Sequence, residues 1–222
     1  YYCIFAYRLS DERKVQKFYD TLDAAIHAAH NLDAEGYDAY FALGTFDQAG
    51  SRKAPNVKQL RSFFLDLDCG PTKDYATQSE ALAALRTFCK ELKLPRPTIV
   101  NSGRGIHVYW PLTEPVSRET WVPVAEQFKR MCNDPAVPAD AARVLRVPNT
   151  HNHKPDPPAP VQIVGEVGAP VEFDVFRDLM GDNSSILVPP KKYTPSQQDA
   201  MMQALSGSFV SRFKTILIKT MS

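Results

Sequence analysis

The strongest constraint on the fold is a run at residues 62–67, which is the most apolar stretch of the chain. Phe63, Phe64 and Leu65 follow one another without a polar residue between them. Such a run is typical of a central strand that is covered on both faces of a sheet. Strand and helix patterns alternate on either side of it. The sequence therefore predicts an α/β (α+β) fold with this strand at the centre of a sheet.

The flanking segments predict the remaining elements. Further strands are expected at 2–7, 40–43, 98–101, 106–110 and 161–164, with a polar loop at 48–58 and a strand or turn at 141–147. Thr21, Thr77 and Ser117 are suited to cap helices, because each side-chain oxygen can accept a hydrogen bond from the first turn. A short helix is expected at 173–180. Ser-Gly-Arg-Gly joins the strands at 98–101 and 106–110.

Composition limits the class of protein. The chain has 222 residues, of which 44% are hydrophobic and 23% charged, as in ordinary globular domains. Its net charge of +1 excludes a strongly basic coat but not a local basic patch. No segment approaches the roughly 20 apolar residues of a membrane span. The four cysteines form no CxxC pair, so we expect reduced, mostly buried thiols of a cytosolic protein.

Domain boundaries follow from a change of composition. Residues 183–198 are rich in serine, proline and lysine and are predicted to be a linker. Residues 1–182 then form the main domain, and 199–222 look like the start of a truncated helical accessory region. The chain begins with Tyr1 rather than methionine, which indicates a piece of a longer protein.

The central strand ends in two carboxylates. Asp66 and Asp68 are two residues apart, so on a strand they point to the same face. Like charges this close repel unless a cation lies near them, and the arrangement suits one or two divalent metal ions. The alternative is that both aspartates are solvated turn residues, since Cys69, Gly70 and Pro71 begin a turn.

A glycine-containing loop follows at 101–107. Its two glycines let the backbone approach a ligand closely, and its amides can form a concavity for an anion. Ser102, Arg104 and His107 add donors, and a guanidinium is suited to phosphate. The alternative is a hairpin turn in which the glycines serve geometry alone.

A third segment, at 140–154, combines one acid with several cations. Asp140 is followed by Arg143, Arg146 and Lys154, which is the combination that a triphosphate on a metal ion requires. The alternative is a solvated, charged loop. The pair His151-x-His153 within it is a weak metal motif.

Together, these three segments resemble the archaeo-eukaryotic primase superfamily, and specifically the primase–polymerase domains of phage and plasmid replication proteins. That family has an Asp-x-Asp strand, a Ser/His hairpin and a lone aspartate followed by Arg-x-Leu-Arg-x-Pro-Gly-Thr-x-Asn-x-Lys, which stands here at 143–154. Asn149 replaces the usual glycine, and asparagine tolerates a left-handed backbone. Ser102 and His107 are five residues apart, where the minimal family motif is Ser-x-His.

The resemblance implies a fold with an RRM-like catalytic half and a smaller N-terminal α/β half. It implies nucleotidyl transfer by two-metal chemistry with Mg²⁺ or Mn²⁺ and nucleoside triphosphates. Asp66, Asp68 and Asp140 are the implied metal carboxylates, and His107 is implied as a catalytic residue that holds phosphates with Ser102. The further implied nucleotide contacts are Arg52, Lys53, Arg104, Arg143, Arg146, Asn152 and Lys154.

The implied partners are a single-stranded DNA template, a primer and a replicative helicase domain or protein, in the cytoplasm of a bacterial host and without a membrane. Two other classes stay open. One is a relaxase-like initiator nuclease that uses His151 and His153 with a tyrosine nucleophile. The other is a nucleic-acid-binding module without catalysis, which the three aspartates disfavour because carboxylates without metal repel DNA.

Overall fold

The apolar run lies within a long strand, β5 (Val57–Leu67), in the computed structural model, which describes residues 1–132 and 139–182. Phe63, Phe64 and Leu65 are buried, so the prediction of a central strand covered on both faces is confirmed. The strand begins at Val57, inside the segment predicted as a polar loop.

The other strands are β1 (Tyr2–Arg8), β2 (Arg13–Tyr19), β3 (Asp38–Ala42), β4 (Gly44–Phe46), β6 (Thr98–Asn101), β7 (Ile106–Ser117), β8 (Val144–Arg146), β9 (Thr150–Asn152) and β10 (Ala159–Val164). The helices are α1 (Leu22–Ala34), α2 (Gln78–Glu91), α3 (Arg118–Cys132) and α4 (Phe173–Asp182), and Ala54–Asn56 is a 3₁₀ turn. Sequence patterns did not predict β2, β4 or β9.

The strands form two antiparallel sheets. The smaller sheet has the order β2-β1-β3-β8, and the larger has the order β4-β5-β7-β6-β10-β9. Helix α1 packs on the smaller sheet around Ala25 and Ala29. Helices α3 and α4 pack on β5 and β7 in the larger sheet. The predicted α/β fold with a smaller N-terminal half is therefore confirmed.

The helix caps form as the sequence predicts. Thr21 accepts a hydrogen bond from the backbone of Ala24, and Thr77 forms a capping box with Glu80. The hydroxyl of Ser117 accepts one from the backbone N–H of Thr120 at 3.3 Å. These caps fix where α1, α2 and α3 begin.

None of the four cysteines, all of which the structure describes, forms a disulfide. Burial raises the pKa of Cys3 to about 11 and that of Cys89 to about 12, so these thiols stay protonated at neutral pH.

Across 1–132 and 139–182, no helix is long and apolar enough to cross a membrane. The linker predicted at 183–198 and the helical region predicted from 199 lie outside the described residues.

The main core contains an aromatic stack centred on Phe63. Its ring lies 4.1 Å from that of Phe176 on α4 and 5.4 Å from that of Trp121 on α3. This stack holds both helices against β5, the strand that carries Asp66 near its end and is followed directly by Asp68. We therefore expect the position of these carboxylates to depend on the packing of Phe63.

Replacing Phe63 by alanine removes the centre of this stack and leaves a cavity. We expect Phe63→Ala to lower the free energy of unfolding by about 3–5 kcal/mol, measured by urea denaturation. Val175, whose side chain is exposed on α4, provides the control, and Val175→Ala is expected to change stability by less than about 0.5 kcal/mol. Equal losses for both variants would contradict the role of the stack.

Candidate active site

A cavity of about 710 Å³ lies where the end of β5, the β6–β7 loop and the β8–β9 segment meet. Its lining contains two carboxylates and five cationic side chains. The carboxylates are Asp66 and Asp68, and the cations are Lys73, Arg104, Arg143, Arg146 and Lys154. Ser102, His107 and Asn152 also line it. The cavity thus brings together nine of the residues that the sequence analysis selected.

Asp66 lies at the centre of this charge pattern. The pairing of β5 with β7 places it directly opposite His107, and its Oδ1 lies 3.6 Å from the His107 Nε2. Its Oδ2 accepts a hydrogen bond from Arg143 Nη2 at 2.6 Å. Asp66 is therefore a largely buried carboxylate whose charge is balanced by a guanidinium.

Asp68 follows the last residue of β5 and is exposed. Lys73 Nζ donates to its Oδ2 at 3.1 Å. Both carboxylates thus line one cavity, and each has a cationic side chain beside it, where a metal ion would otherwise balance the charge. Carboxylate oxygens are the ligands that Mg²⁺ and Mn²⁺ prefer, so this donor set fits a divalent cation.

Asp140 lies in a different local environment. Its Oδ1 accepts from the backbone N–H of Ala142 at 2.9 Å, and its carbonyl accepts from that of Arg143 at 3.1 Å. These bonds close the turn that leads into β8. Asp140 is exposed and is not among the residues that line the cavity, so its role as a third metal ligand stays a prediction.

His107 is neutral at physiological pH. Burial lowers its pKa to about 4, because the lost solvation outweighs the attraction of the Asp66 charge. Burial also raises the pKa of Tyr109, so its hydroxyl keeps its proton and lies 3.4 Å from the His107 Nδ1. A hydrogen bond donated by Tyr109 to Nδ1 favours the tautomer with its proton on Nε2, which faces Asp66.

The two arginines of the third segment both line the cavity. Arg143 precedes β8 and Arg146 ends it, where Arg146 Nη2 donates to the buried Asp38 Oδ2 at 3.1 Å. The Arg146 guanidinium also lies 5.0 Å from the Tyr40 ring centroid. The Nε atoms of Arg143 and Arg146 are buried and have no hydrogen-bond partner among the described residues.

Two hydrogen bonds hold the loop at 102–105, one within the loop and one from β9. The Ser102 Oγ accepts from the backbone N–H of Gly105 at 3.3 Å, and the Asn152 Nδ2 donates to the Ser102 carbonyl at 3.0 Å. Gly103 has a φ of +92°, and an added Cβ there would lie 2.8 Å from the Asn152 Cβ. Gly103 thus allows close packing against Asn152 on β9, and Gly105 allows close packing against the backbone of Leu67 and Asp68 at the end of β5.

The remaining predicted residues divide into two groups. Arg104 and Lys154 are exposed at the cavity. Arg52 and Lys53 do not line it. Arg52 Nη1 donates to the Ala142 carbonyl at 2.6 Å, so it supports the turn before β8, and Lys53 is exposed elsewhere.

Sequence reasoning missed three residues that organise the site. Asp38 is 2% exposed and accepts from Arg146 and from the backbone N–H of His153 at 2.7 Å. Gln78 donates to the Gly105 carbonyl at 3.2 Å, and Lys73 pairs with Asp68. An acid at the start of the otherwise apolar β3 was the one available signal for Asp38.

The loop geometry gives a stability prediction with a matched control. Gly103 and Gly50 both have a positive φ, but Gly50 has no atom within 4 Å of an added Cβ. Both alanine variants bear a left-handed backbone cost of about 1–2 kcal/mol. We expect Gly103→Ala to lose about 1–3 kcal/mol more than Gly50→Ala in urea denaturation, because it also overpacks against Asn152. Equal losses would contradict the close packing.

No protein-family model matches the chain. A replication protein of Clostridium perfringens is 32% identical over 134 residues, a match that covers 56% of this chain and 31% of that protein. The chain thus spans about a third of the length of this relative.

Solved structures with the same architecture include two primases. The primase–polymerase domain of cyanophage S-2L has a TM-score of 0.60 at 17% identity, over 81% of this chain and 88% of that one. The catalytic domain of primase RepB', in complex with initiator DNA, has a TM-score of 0.55 at 12% identity, over 83% and 87%. The resemblance predicted from the three motifs is confirmed, and the chain has the fold of the archaeo-eukaryotic primase–polymerase domains.

Proposed function

We propose that this chain is the catalytic domain of a primase–polymerase, which transfers nucleotides to a primer or to an initiating nucleotide on a single-stranded DNA template. The observation that supports this most strongly is the charge pattern of the cavity. Two carboxylates lie at the end of β5, and five cations surround them. A nucleoside triphosphate with a divalent ion needs both groups, because the carboxylates hold the ion and the cations balance the phosphates.

In this function, Asp66 and Asp68 hold Mg²⁺ or Mn²⁺, with Asp140 as the predicted third carboxylate. The ion supplies charge stabilisation at the reacting phosphate and lowers the pKa of the attacking hydroxyl. Arg143 pairs with Asp66 and is partly exposed at the same cavity, so its guanidinium would be available to a triphosphate if an ion balanced the Asp66 charge.

His107 acts as a neutral donor. Its pKa of about 4 keeps the ring uncharged, and a hydrogen bond donated by Tyr109 to Nδ1 would place the remaining ring proton on Nε2, the nitrogen that faces Asp66 in the cavity. A neutral imidazole donates a hydrogen bond to a phosphate oxygen without competing with the metal for the carboxylates. Ser102 lines the cavity, and its hydroxyl accepts a hydrogen bond from Gly105, so the hydroxyl proton is left for a phosphate oxygen.

Arg146 is fixed before the substrate arrives. Asp38 orients its guanidinium and the Tyr40 ring packs against it, so little side-chain entropy is lost when it binds a phosphate. Arg104 and Lys154 are exposed at the cavity and suit either the triphosphate or the backbone of the template strand. Binding of the template through such contacts is electrostatic and weakens with salt.

The match to about a third of a replication protein suggests that this domain works beside others in a longer protein. A helicase domain or partner is the accessory activity that we propose for that protein. The setting is the replication of a phage or plasmid in the cytoplasm of its bacterial host.

The test is primer synthesis and extension on single-stranded DNA, with ribonucleotides or deoxyribonucleotides and with Mg²⁺ or Mn²⁺. We expect Asp66→Asn to lower product formation at least about a hundredfold, because the variant loses a metal carboxylate. Asp47→Asn, at an exposed aspartate away from the cavity, is expected to retain activity. Extension without priming would assign initiation to another part of the whole protein.

Other outcomes would contradict the proposal. Template binding without products in the wild type would support a non-catalytic binding module. A cleaved template with a covalent tyrosyl adduct would support the nuclease class. Activity that survives in Asp66→Asn would show that nucleotidyl transfer does not take place in this cavity.

A second prediction concerns the arginines. We expect Arg146→Ala to lower kcat/KM for the nucleotide by about 10–100-fold, since a hydrogen bond to a charged group contributes about 1.5–3 kcal/mol. Arg130, exposed on α3, is the matched control, and Arg130→Ala is expected to stay within about twofold. The measurement is steady-state extension of a primed template, with circular dichroism to check folding. An unchanged kcat/KM in Arg146→Ala would exclude Arg146 from substrate binding.

A further inference from the structure

A second cluster of metal-ligating side chains lies apart from the cavity. It consists of Asp33, His151 and His153, whose ligand atoms all lie within 4.8 Å of one another. None of the three is among the residues that line the cavity. We infer that this cluster is a binding site for a divalent transition metal ion of the Zn²⁺ class, which joins α1 to the segment that begins with β9.

The three ligands come from two distant parts of the chain. Asp33 lies in the last turn of α1, whereas His151 lies in β9 and His153 directly follows it. Because side chains alternate along a strand, the two histidines share one side and Asn152 points to the other, where it bonds the Ser102 carbonyl. The two histidine rings of this His-x-His motif therefore both reach Asp33.

The carboxylate already holds both rings. The His151 Nδ1 lies 2.9 Å from Asp33 Oδ2, and the His153 Nε2 lies 2.9 Å from Oδ1. The backbone N–H of His151 donates to the same Oδ1 at 2.8 Å. A tetrahedral Zn²⁺ site separates its nitrogen and oxygen ligands by about 3.3 Å, so each 2.9 Å contact must open by about 0.4 Å to admit the ion.

The chemistry of this set differs from that of the cavity. Two imidazoles and one carboxylate are the ligands of Zn²⁺ and of similar transition metals, whereas a pair of carboxylates suits Mg²⁺ or Mn²⁺. The side chain of His151 is 50% exposed, so an ion can enter from solvent and keep water as its remaining ligand. Neutral rings offer the lone pair by moving the proton to the other ring nitrogen.

A metal at this site would stabilise the edge of the cavity. The backbone N–H of His153 donates to Asp38, which in turn holds Arg146. Asn152 lies between the two histidines, and Lys154 follows the second. Fixing β9 to α1 therefore fixes the segment that carries Arg146, Asn152 and Lys154, without a direct contact with the substrate.

The test uses the metal alone, on the purified chain after treatment with a chelator. Titration with Zn²⁺ by calorimetry, in the presence of millimolar Mg²⁺, is expected to give one site per chain. Co²⁺ at that site is expected to show the visible absorption of a four- or five-coordinate ion, and the thermal midpoint is expected to rise with Zn²⁺.

Variants then assign the ligands. We expect Asp33→Asn and His153→Ala each to weaken Zn²⁺ binding at least about a hundredfold. His27→Ala, at an exposed histidine on α1, and Asp66→Asn, in the cavity, are expected to bind Zn²⁺ as the wild type does. Zn²⁺ binding that is retained in Asp66→Asn separates this site from the proposed polymerase centre. The inference therefore does not depend on the proposed function.

Two results would overturn the inference. One is the absence of stoichiometric Zn²⁺ binding and of the Co²⁺ spectrum in the wild type, which would leave Asp33 as a hydrogen-bonding partner of two histidines. The other is binding in Asp33→Asn and His153→Ala that equals the wild type while circular dichroism reports a native fold. Because the first result needs no variant, a variant that fails to fold does not prevent the test.

Discussion

The pairing of β5 with β7 is the constraint on which the rest of the structure depends. Its register sets Asp66 opposite His107 and sets Phe63 opposite Trp110 in the core. A shift by one residue would turn every side chain of β5 to the other face, so the apolar core and the carboxylates are positioned by the same pairing. The burial that drives the strand into the centre of the sheet also brings one carboxylate into a largely buried position, at an energetic cost that Arg143 offsets.

The energetic cost of burying a carboxylate explains why the site contains two ion pairs of different kinds. Arg143 pairs with Asp66 and is partly exposed, so its partner can change when a ligand enters. Arg146 pairs with Asp38, whose side chain is 3% exposed, and this pair is held from both sides by Tyr40 and the His153 backbone. Breaking a buried pair costs much more than exchanging an accessible one. The cavity thus combines one adaptable cation with one rigid cation.

The sequence predicted the parts of the molecule whose signals are local. The apolar run gives β5, and the caps at Thr21 and Thr77 begin their helices as expected. Asn149 adopts a φ of +63°, as its substitution for glycine predicted. Strand β2 was missed because Arg13–Tyr19 is mostly polar and edge-exposed, and the preceding turn uses Glu12 at a φ of +56° instead of a glycine. Asp33 and Asp38 were missed because their partners lie more than 100 residues away.

The segment around β9 shows why local motifs alone did not define the site. Strand alternation separates the three consecutive residues His151, Asn152 and His153 onto two sides of the strand. Asn152 bonds the loop of Ser102, whereas the histidines meet Asp33 on α1. The strand therefore connects the loop of Ser102 to the helix of the smaller half.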